Sequence, residues 1–326
     1  MARKKTHKTG PLPPRDGLGA TRARVPEDQG MKAADFIWHL VSTQHHRHPD
    51  DNVDAVLARF AEGAVVKRDG SPLSPETWLD PGTDVFFYRR PAPETPVPFE
   101  ITTVFEDDDL LVVDKPPFMA TMPRASHITE TATVRLRRAT GNEELTPAHR
   151  LDRATSGLLL LTKRREIRGA YQELFARREV RKEYEAIALL HDVPPATPWH
   201  HHLTKQTGEP AARLVPGAEP NASTVVADVS RLSAAEELAL QTRYGVSGAL
   251  GRYVLQPETG RTHQLRVQML TEAAPILGDR IYPTLLPADS EDFSVPMLLR
   301  CTGLEFTDPL NGDTRDFRLT DDWPVL

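Results

Sequence analysis

A short apolar run at positions 157 to 162, GLLLLT, constrains the fold of this chain more than any other segment. It directly follows a charged loop, HRLDRATS, and it ends in a threonine. A run of this length between turn signals predicts a β-strand that is buried on both faces. The strand must therefore lie inside a sheet, and a chain of 326 residues is long enough to bury one.

Further strands and a few helices are predicted around this run. ITTVF and LLVVDK predict a hairpin around three aspartates, and VRKEYEAIALL alternates as a strand that aims Lys182 and Tyr184 at one face. Helices are predicted where Ile167, Tyr171 and Leu174 recur at helical spacing, and in ETGRTHQLRVQML. The remaining predicted strands are TVVADVSRL, GRYVLQP, MLLRC, LEFTD and TRDFRL, the last two joined by PLNGD. This order predicts an α+β domain with a mixed, largely antiparallel sheet.

The predicted domain organisation has three parts. Residues 1–30 have the composition of a disordered basic tail, and residues 31–95 predict a small module of two helices and two strands. PAPETPVP at 91–98 resembles a linker, and 96–326 forms the main domain. Within it, 191–222 is rich in Pro, Gly and His and predicts a long excursion with poorly placed short strands.

Composition narrows the class of protein. No stretch approaches the roughly 20 apolar residues of a membrane span, and no apolar run follows the basic N-terminus, so we expect a cytoplasmic protein. A single cysteine, Cys301, excludes an internal disulfide and a cysteine-based zinc site. The net charge of −6 disfavours a nucleic-acid partner, but basic residues cluster at 3–24, at 135–138 and at 163–182. Solvated helix faces are the open alternative for these clusters.

The loop HRLD places Asp152 between Arg150 and Arg153. Opposite charges at this range hold a carboxylate ionised, which favours a nucleophile or a base over an acid. A structural ion pair beside a strand is the alternative that the residues alone leave open.

Five segments, in order, carry a family resemblance. HRLDRATSGLLLLTK resembles the signature of the RluA-like pseudouridine synthases, a family that modifies ribosomal and transfer RNA. Lys182 and Tyr184 match its second segment, and GRTHQLRV at 260–267 matches its third. VVDKPPFM at 112–119 and ILGDRIYP at 276–283 are also similar to family segments. The resemblance spans about 100–320 and implies the pseudouridine synthase fold, in which helices flank a central sheet.

The resemblance also implies an activity and a set of site residues. The chain is expected to isomerise a uridine in structured RNA, with ribosomal RNA as the first guess and transfer RNA as the second. Asp152 would be the catalytic carboxylate, paired with Arg266, while Tyr184 would stack on the target base and assist proton removal. Leu265 would line the pocket, and Arg150 would replace the target nucleotide in the RNA stack. Further RNA-contacting candidates are His149, Arg153, Lys182, Arg261 and His263. No cofactor, metal or membrane is expected, and the protein is expected to be a monomer.

Departures from the family pattern are Gln268, where His is common, and Pro283, where Gly is common. Both lie beside the expected pocket. The small N-terminal module weakly resembles an S4-like RNA-binding domain, since FAEGAVVKRDG fits its last turn and strand. A purely structural cap is the open alternative for this module.

Other functions were weighed against the enzyme hypothesis. Histidine clusters at 45–48 and 200–202 lack the spacing of zinc ligands, and a serine nucleophile at Ser156 lacks a GxSxG motif. A non-catalytic RNA-binding protein would have no use for an ion-paired carboxylate among phosphates. A glycosidic hydrolase would normally need two acidic groups, and one stands out.

Overall fold

The structure is a computed structural model that describes residues 10–287, 290–320 and 323. The chain divides into two compact units. The first holds the chain up to Pro96 together with Met122–Glu143, and the second holds Val97–Thr121 and the chain from Glu144 onward. Within the described residues, no helix has the length and apolar character needed to cross a membrane.

The assignment of Met122–Glu143 to the first unit corrects the predicted main domain of 96–326. Hydrogen bonds explain the difference. The carboxylate of Glu94 accepts bonds from the backbone N–H groups of Ile128, Thr129 and Glu130 at 2.7–3.2 Å. Arg138 forms an ion pair with Asp16 at 2.6 Å. These contacts join sequence-distant segments, which a linear division of the chain cannot anticipate.

The first unit combines short strands with helices. A three-stranded antiparallel sheet has the order β1-β5-β3, and β2 pairs with β4. The predicted pair of helices and the two predicted strands of this region are confirmed. Its elements are β1 (Thr21–Arg24), β2 (Met31–Lys32), α1 (Ala33–Ser42), α2 (Val53–Ala61), β3 (Val65–Lys67), β4 (Trp78–Leu79), β5 (Asp84–Phe87) and α3 (Ala132–Thr140).

The prediction of a disordered tail over 1–30 is wrong for part of that range. Residues 1–9 lie outside the described residues, but β1 pairs with β5 along its whole length. Arg22 donates to both carboxylate oxygens of Asp84 at 2.9 and 3.0 Å, and Val25 is buried in the core. The sheet thus supplies pairing that the polar composition of this segment does not reveal. The S4-like character of the unit remains a prediction.

The second unit is built around a ten-stranded sheet, counted over the described residues. Its main order is β11-β14-β15-β10-β16-β9-β7-β6, with β17 paired to β16 and β8 to β9. In this unit β12 and β13 pair with each other outside the ten-stranded sheet. The strands of the unit are β6 (Thr102–Glu106), β7 (Leu110–Lys115), β8 (Thr146–Pro147), β9 (Ser156–Thr162), β10 (Arg181–Leu189), β11 (Thr197–His201), β12 (Leu203–Thr204), β13 (Arg213–Leu214), β14 (Ala222–Arg231), β15 (Leu250–Pro257), β16 (Leu299–Thr307) and β17 (Thr314–Arg318). Its helices are α4 (Arg168–Arg177), α5 (Ala234–Tyr244) and α6 (Gln264–Glu272).

The strand β9 is the centre of this unit, as the sequence predicts. Every residue from Ser156 to Thr162 is buried. The strand runs antiparallel to β7 and parallel to β16, while the other pairings of the sheet are antiparallel. The expectation of an α+β fold with a mixed, largely antiparallel sheet is therefore confirmed.

Gly157 makes the parallel pairing of β9 with β16 possible. Its φ of +106° lies in a region that favours glycine. A Cβ at this position would lie 2.2 Å from the carbonyl oxygen of Cys301, closer than any non-bonded approach. The glycine thus fixes the start of β9, and with it the loop that carries Asp152.

Candidate active site

Backbone contacts hold Asp152 in a defined loop. It starts a turn in which the N–H of Thr155 donates to the carbonyl of Asp152 at 3.1 Å. One residue earlier, the hydroxyl of Thr121 donates to the carbonyl of Leu151 and accepts from its N–H, at 2.8 and 3.1 Å. The side chain of Asp152 stays 34% exposed, so its loop is fixed in place while the side chain is open to a substrate.

Arg266 of the buried helix α6 supplies the charge beside Asp152. Its Nη1 lies 3.6 Å from Oδ2 of Asp152. The same guanidinium donates to both oxygens of Asp279, at 2.7 and 2.6 Å. Asp279 also accepts from the backbone N–H groups of Ile281 and Tyr282, at 2.8 and 3.1 Å. Asp279 therefore orients Arg266, and Arg266 presents its remaining amino group to Asp152.

Charge compensation outweighs desolvation at Arg266. The side chain is 4% exposed, and that burial alone would lower its pKa. Its bonds to Asp279 and the charges of Asp279 and Asp152 reverse the effect and raise the pKa. Arg266 is thus a permanent cation between two carboxylates.

A pocket of about 110 Å³ opens beside Asp152. Tyr184 of β10 and Leu265 of α6 contribute an aromatic and an aliphatic surface to it. Lys182 lies two residues before Tyr184 on the same face of the strand, as predicted. Asp152 is the carboxylate of the lining, and the other charged or titratable residues there are Arg150, Lys182, Tyr184, Arg261, His263 and Arg266. The positive side chains around the pocket are suited to binding a phosphate backbone.

Burial alters the acid–base character of two of these side chains. It raises the pKa of Tyr184 well above its ordinary value, and the nearby Cys301 and Asp152 add to the rise. The tyrosine hydroxyl therefore stays protonated near neutral pH. Burial lowers the pKa of Lys182, whose Nζ donates to the carbonyl of Thr259 at 3.0 Å.

The segment before α6 is ordered by Gln264, a residue that the sequence analysis did not single out. Its Oε1 accepts from the hydroxyl of Thr259 and the N–H of Arg261, at 2.6 and 3.0 Å. Its Nε2 donates to the carbonyl of Ser223 and the hydroxyl of Thr224, both at 2.9 Å. A fully satisfied buried amide of this kind rigidifies the segment that carries Arg261 and His263.

The structure brings eight of the ten predicted site residues to the pocket, and places two elsewhere. His149 is stacked on Phe175 with ring centroids 4.4 Å apart, and its Nε2 accepts from the N–H of Leu160 at 3.1 Å. Burial lowers the pKa of His149 to about 3, so it is a neutral packing residue. Arg153 pairs with Glu291 at 2.5 Å and does not line the pocket.

Two charged residues near Asp152 were missed by the sequence analysis. Asp279 belongs to ILGDRIYP, where the resemblance marked the segment but gave no role to the aspartate. Lys115 belongs to VVDKPPFM; it is completely buried, and its Nζ donates to the carbonyls of Pro116 and Met119 at 2.8 Å each. Burial lowers the pKa of Lys115 to about 7, although Asp152 and Asp114 oppose the shift. The sequence did contain a signal for Lys115, because this charged residue lies in an otherwise largely apolar segment.

Comparisons with known proteins identify the family of this chain. The family model described as RNA pseudouridylate synthase matches residues 109–271, which is 163 of the 326 residues. The "Dual-specificity RNA pseudouridine synthase RluA" of Escherichia coli strain K12 is 28% identical over 240 residues, covering 68% of this chain and 94% of that protein. The "Ribosomal large subunit pseudouridine synthase D" of Neisseria meningitidis is 27% identical over 285 residues, covering 82% and 72%.

A solved structure supports the fold. "Human RNA Pseudouridylate Synthase Domain Containing 1" superposes with a TM-score of 0.53 at 22% identity, covering 68% of this chain and 84% of that one. The fold and the family match define an RNA-modifying isomerase. The chain belongs to the RNA pseudouridylate synthase family, as its sequence motifs predict.

Proposed function

We propose that Asp152 is the catalytic carboxylate of this RNA pseudouridine synthase. The observation that carries the proposal is the arrangement of Asp152, Arg266 and Asp279. Arg266 is fixed by the two hydrogen bonds that it donates to Asp279, and it lies 3.6 Å from Asp152 at the edge of a pocket. Arg266 thus places a fixed positive charge beside this carboxylate, and the reaction uses a carboxylate in its ionised form.

The target uridine must leave the RNA stack to reach Asp152. Extruding a nucleotide costs roughly a few kcal/mol, which contacts in the pocket must offset. Tyr184 and Leu265 offer an aromatic and an aliphatic wall for the extruded base. Arg150 is exposed and lines the pocket. Its side chain is therefore available to take the position in the RNA stack that the extruded nucleotide leaves.

Isomerisation breaks the bond from N1 to C1′ of the uridine, turns the uracil and joins C5 to C1′; the hydrogen on C5 then leaves as a proton, and N1 gains a proton. Asp152 serves this reaction by attack on C1′, by addition to C6, or by removal of the C2′ proton. All three routes use an ionised carboxylate. The protonated hydroxyl of Tyr184 supports stacking and hydrogen-bond donation at neutral pH, while proton removal would need a base elsewhere or transient ionisation.

We propose large-subunit ribosomal RNA as the first substrate and transfer RNA as the second. The name of one relative, "Ribosomal large subunit pseudouridine synthase D", supports the first choice. A loop or bulge is the expected local shape, because its bases are open to extrusion. We further propose that the protein is a cytoplasmic monomer.

Pseudouridine mapping in cells tests this proposal. Total RNA is compared from cells that lack the protein and from the same cells supplied with the wild type or with Asp152→Asn. We expect at least one pseudouridine to disappear on loss of the protein and to return with the wild type alone. Its return with Asp152→Asn, at the wild-type level, would contradict the assignment of Asp152.

A further inference from the structure

His263 occupies an unusual backbone position directly before α6. Its φ of +57° is left-handed, a conformation that is strained for residues other than glycine and persists where the surroundings fix it. The imidazole is 10% exposed. Its Nε2 lies 3.9 Å from Oδ2 of Asp152, and its Nδ1 lies 2.9 Å from the hydroxyl oxygen of Tyr282.

The hydrogen bonds of Tyr282 bear on which nitrogen of His263 carries the proton. A tyrosine hydroxyl has one hydrogen to donate and accepts through its lone pairs. The hydroxyl of Tyr282 accepts from the N–H of Ala212 at 2.7 Å and donates to the carbonyl of Ala212 at 3.0 Å. With its hydrogen directed at the carbonyl of Ala212, the hydroxyl can only accept from His263, so the contact takes Nδ1–H as the donor. Nε2 is then left with a lone pair.

The surroundings keep this imidazole neutral. Burial lowers the pKa of His263 to about 4, and the positive charges of Arg266 and Lys205 act in the same direction. The negative charges of Asp152 and Asp279 oppose the shift without reversing it. At neutral pH the pocket thus presents two neighbouring acceptors, Nε2 of His263 and the carboxylate of Asp152.

Two acceptors that face the same space need a hydrogen-bond donor from a bound molecule or water. A uridine offers two donors, the 2′-hydroxyl of the ribose and the N3–H of the base. The 2′-hydroxyl is attached to C2′ and is two bonds from C1′, the atoms that Asp152 addresses in two of the three routes. N3 is three bonds from C1′ and lies on the far side of the ring from C6.

We propose that Nε2 of His263 accepts a hydrogen bond from the 2′-hydroxyl of the target nucleotide and positions its ribose against Asp152. This inference rests on the proposed function and adds a ribose-recognition role to it. A 2′-hydroxyl distinguishes RNA from DNA at a given site, so His263 also selects for a ribonucleotide at the target position.

A first experiment examines the tautomer in the full-length protein without RNA. Nitrogen-15 NMR of histidine-labelled wild type at pH 7 is compared with His263→Asn, which removes the signals of this residue. Asn tolerates left-handed backbone and its amide can reach Tyr282, so the fold is kept. We expect a proton on Nδ1 and none on Nε2. A proton on Nε2 at pH 7 would overturn the inference.

A second experiment measures binding in an Asp152→Asn background, which prevents conversion of the RNA. The probes are two synthetic stem-loops around the mapped uridine, one with ribose and one with 2′-deoxyuridine at that position. We expect Asp152→Asn to bind the ribose probe about three- to tenfold more tightly, the range of one net hydrogen bond. Adding His263→Asn should abolish this preference, and adding His263→Gln should restore part of it.

The matched control adds His200→Asn, an exposed histidine of β11, and should keep the full preference. An equal preference with and without His263 would overturn the inference, as would no preference in Asp152→Asn alone. Either result would leave the pseudouridine mapping unchanged, so failure of this assignment is distinguishable from failure of the proposed function.

Discussion

Replacing Asp279 by Asn removes the charge that orients Arg266 but keeps the shape of the side chain. Asp279 is 1% exposed, and it accepts two bonds from Arg266 and two from backbone N–H groups. The amide oxygen of Asn can still accept from the backbone. Its NH₂ group, however, cannot accept from the guanidinium. The substitution therefore acts mainly on the pair of charges.

Removing one partner of a buried ion pair typically costs about 3–5 kcal/mol of unfolding free energy. We expect the lower end, about 3 kcal/mol, because the carboxylate of Asp152 stays 3.6 Å from Arg266 and compensates part of its charge. Asp279→Ala should cost about 1–3 kcal/mol more, since the two backbone donors also lose their acceptor. A reoriented Arg266 should lower turnover on the order of a hundredfold.

Urea unfolding and single-turnover pseudouridine formation measure the two effects. The matched control is Asp308→Asn, because Asp308 is also buried and accepts from Arg315 and Tyr171, at 2.9 and 2.8 Å, but does not line the pocket. We expect the control to lose stability and to keep its turnover per folded molecule. Wild-type turnover in folded Asp279→Asn would refute the orienting role of Asp279.

Two further predictions concern residues around β9. Because burial lowers the pKa of Lys115 to about 7, the unfolded chain binds a proton there that the folded protein releases above that pH. The stability of the wild type relative to Lys115→Met should therefore rise between about pH 7 and pH 9, by up to about 1.4 kcal/mol per pH unit, in urea unfolding; a flat difference would show that Lys115 stays charged. Gly157→Ala should prevent correct pairing of β9 with β16 and lower the melting temperature or the soluble yield, whereas Gly169→Ala, with open space around it, should not. A wild-type melting curve for Gly157→Ala would contradict the close approach to Cys301.

The sequence predicted the elements whose pattern is local. The apolar run of β9, the alternation of β10 and the helical spacing of α4 all describe burial that one segment can encode by itself. The family resemblance supplied Asp152, Tyr184 and Arg266, and the structure places all three at one pocket.

Features that depend on distant partners were not predictable in this way. Arg153 adjoins Asp152 in sequence, yet it pairs with Glu291, and Arg266 has a second, closer partner in Asp279 besides Asp152. The helix α5 was missed although its start has a capping box formed by Ser233 and Glu236. In that case the local signal was present. However, Glu237 and Leu240 are the buried residues of this helix, so it has no apolar face whose spacing could reveal it.

The most direct test of the account is the activity of purified Asp152→Asn on the mapped RNA. Pseudouridine is quantified by mass spectrometry of digested RNA, and binding of the same RNA is measured in parallel. The account predicts binding within about threefold of the wild type and a rate reduced by at least about a thousandfold, because the amide cannot act as nucleophile or base. Pseudouridine formation near the wild-type rate would contradict the central role of Asp152.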